Sequence, residues 1–415
     1  MMLLDNPSMI VTPRASGTTK RGHPVARGTA MGRLDVRRGE SIAINGDRIA
    51  AIGPTDALRA ELANAERIDC TGRTILPGFV DSHTHLVFAG NRADEFAMRL
   101  RGATYQEIYE SGGGIRSSMR AVRAASLEEI VERVRPLIRS AFAHGSTTIE
   151  VKSGYGLDTE SELKLLEAIK VLDAEESPTL IATFLGAHAF PPEFANDREG
   201  YIRRIIEEMI PEVASRELAR FCDVFTDEGY FTIDESERIL SAARDHGLAL
   251  RVHADELADV DAAAMAVRLD CHSADHLLRI SEANIAALAA SDTIATLLPG
   301  TAFYLNLPYA PARALIAADC AVALATDCNP GTNMCESMGM TLALACMGMR
   351  MTIEEAITAA TLNGAAALGM SDTVGMIAPG MVADLLICDV SGYAELVYHY
   401  GVNHVERVVK GGELS

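Results

Sequence analysis

The chain has 415 residues, enough for a large buried core and either several domains or one α/β barrel with insertions. Its 37 Lys and Arg stand against 57 Asp and Glu, a net charge of −20 with no basic patch, which excludes nucleic acid as an expected partner. The opening residues lack a basic stretch leading into an apolar one, no apolar run reaches about 18 residues, and the eight cysteines form no C-x-x-C pair. A cytoplasmic protein with reduced thiols, outside membranes, is therefore expected.

In chain order, residues 1 to 35 are rich in Gly, Thr, Pro and Arg, with one short β-like run at Met9–Thr12, and predict a poorly ordered start. From 41 to 75, SIAING, RIAAIG and RTILPG have the texture of short strands broken by glycine turns. That texture returns in APGMVADLLICDV and HVERVVKGGEL near the other end. The two ends therefore predict one small β-sandwich domain, residues 1–76 and 376–415, split by a larger domain of residues 77–375.

The middle alternates short apolar β-like runs with longer helical stretches. The runs are Phe79–Thr84, Thr147–Lys152, Leu180–Leu185, Val224–Thr226, Ala249–His253, Ser273–His276, Ile294–Leu298 and Val322–Thr326. Helices are predicted between them, for example at Glu160–Ala174, Ile233–His246, Leu257–Val267 and Ser281–Ala290. Eight such repeats are the pattern of an α/β fold of the (β/α)8 TIM-like type, whose active sites gather where strands end. Two long connections, Val87 to Gly145 and Ala189 to Arg220, are candidates to cover such a site.

The strand ends carry the chemistry. PGFVDSHTHL places His83 and His85 two residues apart, hence on one face of an extended strand. RVHADE supplies His253 and Glu256, SADH supplies His276, and ATDCNPG supplies Asp327. Alone, an H-x-H pair is as well explained by packing, and an Asp after an apolar run by a turn. Four strand ends agreeing on one barrel mouth instead indicate a transition-metal site of imidazoles and a carboxylate. His23, His144, His246, His399 and His404 lie away from those ends and read as structural or exposed, and Cys222, Cys271 and Cys328 read as packed thiols.

These motifs, with GMIAPGMVADLLICDV, resemble the amidohydrolase superfamily of metal-dependent hydrolases across residues 41 to 410. The resemblance implies that His83, His85, His253 and Asp327 hold a metal, and that His276 is a second-metal ligand or a hydrogen-bond partner of the reacting group. Two-metal members bridge their ions with a carboxylated Lys or a Glu ending strand four. Here strand four reads CDVFTDEGYF, without a lysine, and Lys152 lies on strand two, so one ion per chain is expected, Zn2+ or Fe3+. Asp227 and Glu228 in that string keep a second ion open.

An ion of this kind activates water, which makes Asp327 and Glu256 candidates to move protons and His276 a candidate to polarise the attacked carbonyl. Which carboxylate first accepts a proton stays open. The loop strings FAGNRADEF, VKSGYGLDTE, FLGAHAFPPEF, GGGI (Gly112 to Ile115) and NPGTN are similar to those of superfamily members that open the lactam ring of 4-imidazolone-5-propanoate. Those members yield N-formimidoyl-L-glutamate in L-histidine degradation. That likeness implies Arg92 for the propionate, Tyr155, His188 and Glu256 around the ring, and Asn329, Gly331 and Thr332 along the amide edge or tail. It also implies a homodimer. The alternatives are a superfamily deaminase of a guanine- or cytosine-type ring, a cyclic-amide hydrolase of the dihydropyrimidinase type, and a barrel that binds without catalysing.

Overall fold

A computed structural model describes residues 1–103, 107 and 112–415. The eight predicted runs form one parallel sheet in sequence order: Phe79–Asp81, Ser146–Lys152, Thr179–Ala187, Phe221–Thr226, Ala249–Ala254, Ser273–His276, Ile294–Leu297 and Val322–Leu324. The strands are short runs buried on both faces, apart from a half-buried start to Thr179–Ala187 and to Ala249–Ala254, as a parallel sheet covered by helices requires. Strands one and eight close the barrel beyond their regular pairing. Asp327 N–H donates to His83 O at 3.0 Å, and His85 N–H donates to Cys328 O at 2.9 Å. The Asp81 carboxylate seals the seam by accepting from Thr326 N at 2.9 Å and Thr326 Oγ1 at 2.6 Å.

The connecting helices begin where their caps dictate. Asp158 accepts from Ser161 N at the head of Thr159–Glu175, and a Thr232–Glu235 capping box opens Ile233–Asp245. The helix predicted from Leu257 starts only at Ala262. Asp227 takes the N–H groups of residues 256 to 258 and Asp255 those of 260, 262 and 263, so the intervening chain turns instead of winding. Neither long connection is a plain loop. Residues 198 to 215 form a nearly continuous helical run, with a π-turn at Ile205–Met209. Ala93–Leu100, Ile115–Ala124 and Leu127–Ala143 lie between strands one and two.

The chain ends form two further sheets. One has four strands, in the order Arg48–Pro54, Glu40–Asn45, Met2–Asp5 and Glu66–Asp69. The other has six, joining Met9–Pro13, Leu34–Arg37 and Thr74–Pro77 to Leu385–Cys388, Val405–Lys410 and Glu413–Leu414. Leu4, Ile10, Ile42, Ile75, Leu385 and Ile387 pack together between them, giving a small sandwich built from both ends. The expectation of a poorly ordered start is overturned: Leu3, Leu4, Ile10 and Val11 are fully buried. Residues between the first strands also pack onto the barrel, where Asn363 brackets Ala26 and Val25 joins Ile294, Ala321 and Ala323. Among the described residues no helix is long and apolar enough to cross a membrane.

Candidate metal centre and substrate cavity

The barrel seam fixes the candidate ligands. His83 and His85 extend strand one past its last regular pair, and the backbone bonds just described set Asp327 beside them. Asp327 Oδ1 lies 3.6 Å from both His83 Nε2 and His85 Nε2, and His253 Nε2 lies 3.3 Å from His85 Nε2. One ligand atom each from His83, His85 and His253 lie within 4.8 Å of one another, as do atoms of His83, His276 and Asp327. All five residues are buried, and among the described residues His83 Nε2 and both ring nitrogens of His276 have no hydrogen-bond partner. Buried nitrogen lone pairs converging on one carboxylate without protons between them are what a metal ion completes, so the donor set fits one.

A layer of charge beneath the ligands fixes their tautomers. His83 Nδ1 is 2.7 Å from Asp275 Oδ2 and His253 Nδ1 is 3.0 Å from Asp223 Oδ1. A carboxylate accepts, so each Nδ1 carries the proton and each Nε2 turns its lone pair to the centre. Lys152 Nζ then bonds Asp223 Oδ2 at 2.8 Å and Glu150 Oε1 at 2.7 Å, while Arg251 Nη2 bonds Asp275 Oδ2 at 3.0 Å. Burial holds the His83, His85 and His276 imidazoles well below their usual range, hence neutral, with neighbouring positive charges adding to the effect.

Sequence reasoning missed Glu150, Asp223, Arg251 and Asp275, and set Lys152 aside. The available signal was charge at alternate positions inside apolar strands, in IEVK, CDVF and LRVH. Asp275 carried no such signal, because consecutive strand residues face opposite ways. Both Asp275 and His276 reach the interior because His276 has a φ of 79°, breaking the alternation. Asp227, held open as a ligand of a second ion, spends its carboxylate on the backbone of residues 256 to 258.

Above the candidate ligands lies a cavity of about 640 Å³, walled in part by Arg92, Tyr155, His188, Phe225, Glu256 and Asn329. His188 stacks on His85 with ring centroids 5.2 Å apart, and its Nδ1 lies 2.9 Å from Gly154 O. A carbonyl only accepts, so His188 presents an unprotonated Nε2, and burial pushes its pKa down to about 3. Tyr155 is buried with its ring 5.3 Å from that of His188. Arg92 bonds Glu95 Oε2 at 2.9 Å and passes over Gly331, where a Cβ would meet its Nη1. Burial, helped by Asp327 and Asp227, pushes Glu256 up to about 8, and Glu256 Oε2 lies 3.6 Å from His276 Nε2.

Asn329 and Thr332 also border the cavity, but the Asn329 amide is occupied. Its Nδ2 donates to Asp327 O at 2.7 Å, and its Oδ1 accepts from Gly331 N at 2.8 Å and Thr332 N at 2.7 Å. Its visible work is to shape the loop after Asp327. Phe225, Tyr230, Glu95 and Arg99 line the cavity without having been singled out in the sequence. Of the histidines set aside, His144 and His246 end helices and His404 bonds His399 O; Cys222, Cys271 and Cys328 are buried.

Residues 74–414 match the amidohydrolase family. An imidazolonepropionase of Geobacillus thermodenitrificans is 47% identical over 388 residues, covering 92% of each chain. One of Parabacteroides distasonis is 43% identical over 99% of each chain. Among solved structures, E. coli guanine deaminase superposes with a TM-score of 0.71 at 17% identity, over 100% of this chain and 99% of that one. A zinc-bound adenosine deaminase of Xanthomonas campestris gives 0.70 at 18%, covering 100% of this chain and 92% of its own. At those identities the structures establish the fold alone, whereas the sequence relatives are close enough to establish the family. The chain belongs to the amidohydrolase family and, within it, groups with the imidazolonepropionases.

Proposed function

We infer that the chain hydrolyses the cyclic amide of 4-imidazolone-5-propanoate to N-formimidoyl-L-glutamate, a step of L-histidine degradation. The observation that carries the reading is the meeting in one cavity of His85, His253 and Asp327, with His83 against Asp327 just outside its lining, and Arg92, Tyr155 and His188. The kinship with imidazolonepropionases at 43–47% identity supports the same choice.

One ion per chain, Zn2+ or Fe3+, would be held by His83, His85, His253 and Asp327, since imidazole and carboxylate suit both. When bound, such an ion supplies Lewis acidity and makes hydroxide available near neutral pH. The protein's own groups do the rest. Arg92 faces the propionate, and its pairing with Glu95 holds the guanidinium in one place. His188 Nε2 accepts from a ring N–H, and the Tyr155 hydroxyl meets the polar edge of the ring. His276 polarises the lactam oxygen.

Hydrolysis forms a bond from water oxygen to the lactam carbon, breaks the ring C–N bond and delivers a proton to the departing nitrogen. Two carboxylates share this work. Asp327, buried and held by the Thr301 hydroxyl, takes the water proton. Glu256, pushed up to about 8, starts protonated and serves the leaving nitrogen. Gly331 leaves room for Arg92, while Asn329 and Thr332 hold the loop that borders the amide edge. A homodimer in the cytoplasm completes the reading.

The test is turnover of 4-imidazolone-5-propanoate by the purified, metal-loaded protein, followed by loss of its absorbance. Ammonia release from aminated heterocycles with no loss of that absorbance would replace this reading with the deaminase one.

A further inference from the structure

The loop that carries Tyr155 is held from both sides by two residues outside the cavity's chemistry. Glu162, fully buried in the first turn of the helix Thr159–Glu175, accepts three backbone N–H groups at 2.8 Å. Oε2 takes Gly154, and Oε1 takes Gly156 and Leu157. Arg123, in the helix Ile115–Ala124, grips the carbonyls of the same loop: Nε donates to Gly156 O at 2.8 Å and Nη2 to Leu157 O at 3.2 Å. The backbone so held costs Leu157 a left-handed conformation and requires a glycine at 154. Gly154 has a φ of 110° and Leu157 a φ of 56°.

The consequence lies at Gly154. Its N–H goes to Glu162 and its carbonyl goes to His188 Nδ1, so one peptide residue links a buried carboxylate to the cavity imidazole. A Cβ at Gly154 would come within 2.9 Å of Leu185 O and 3.0 Å of His188 Nδ1, so the fit is tight enough to fix where that carbonyl points. We propose that Glu162 is a positioning residue: by anchoring the loop at 154–157 it aims the Gly154 carbonyl at His188 Nδ1, which makes His188 Nε2 an acceptor toward the substrate ring. Released from that carbonyl, the imidazole is free to carry its proton on Nε2, and it then meets a ring N–H donor to donor.

Glu162→Gln discriminates between this role and mere loop stability because it breaks the anchor unevenly. The amide oxygen can replace Oε1 and keep Gly156 and Leu157, whereas the NH2 group then faces the Gly154 N–H and repels it. The readout is the His188 ring nitrogen signals in protein labelled with 15N-histidine, identified by their loss in His188→Gln. The parent protein should have a protonated Nδ1 and a bare Nε2. Glu162→Gln should populate the opposite tautomer and raise KM three- to tenfold, the scale of one hydrogen bond, at undiminished metal content. Arg123→Met loosens the same loop from its carbonyl side and should move the signals in the same direction, which keeps the test alive should Glu162→Gln fail to fold. Unchanged His188 signals in a folded variant overturn the proposal. The link to the substrate ring rests on the function proposed above, but the tautomer does not. A parent enzyme that leaves 4-imidazolone-5-propanoate untouched refutes the function, while the nitrogen signals still decide the role of Glu162.

Discussion

Replacing Asp275 by Asn tests whether the charged layer under the ligands governs the metal. Asp275 Oδ2 accepts from His83 Nδ1 at 2.7 Å and from Arg251 Nη2 at 3.0 Å. An Asn oxygen can occupy the same position and keep both bonds, so what is removed is the charge. Charge-assisted hydrogen bonds are worth roughly twice neutral ones, a loss of about 1 kcal/mol per bond. Arg251 keeps Ser82 O at 2.7 Å and Ala367 O at 3.2 Å, so the fold should survive. The weakened His83 ligand should cost about 10- to 100-fold in metal affinity, or about 1.4 to 2.7 kcal/mol. Competition between metal-free protein and a chelator of known affinity measures it. Asp275→Leu, which removes the acceptor of a buried cation and of a ligand imidazole together, should cost about 3–5 kcal/mol of stability as well. An Asn variant that binds zinc within twofold of its parent refutes the idea that this carboxylate tunes His83.

Two further outcomes follow from the cavity. Glu256 is pushed from 4.5 up to about 8, so in the folded protein it keeps a proton that the unfolded chain releases. Its contribution to stability is therefore lost as pH rises from about 4.5 to about 8, by up to about 1.4 kcal/mol per unit. Urea unfolding of the metal-free protein from pH 5 to 9 should give a shallower decline for Glu256→Gln than for the parent, and equal slopes would rule out the raised pKa. Arg92→Ala should raise KM about 10- to 100-fold with kcat nearly unchanged, and Arg92→Lys should recover little, since an ammonium lacks the planar fork that can pair two N–H groups with a carboxylate. An unaltered KM for Arg92→Ala removes Arg92 from tail recognition.

The barrel was legible because its signals are local. Eight short apolar runs keep their period, and His83, His85, His253 and Asp327 stand at or just past their ends, where side-chain alternation and strand polarity decide the facing. What escaped the sequence depends on partners far along the chain. The first residues look weak by composition, yet Met2–Asp5 is ordered between Glu40–Asn45 and Glu66–Asp69 inside a four-stranded sheet. Leu257 to Val260 has helical composition, yet Asp227, just past the end of strand four, claims the first N–H groups before a helix can.

The candidate site divides along the same line. Imidazoles at strand ends could be read as candidate ligands, but which nitrogen of His83 and of His253 turns to the cluster is set by Asp275 and Asp223, which Arg251 and Lys152 hold in turn. Those four, with Glu150 on Lys152, sit one layer deeper, where the barrel interior of an ordinary protein would be apolar, and a charge buried there is stable only while its hydrogen-bond partners stay in place. The same holds for His188, whose polarity is set by a glycine carbonyl and a glutamate outside the cavity.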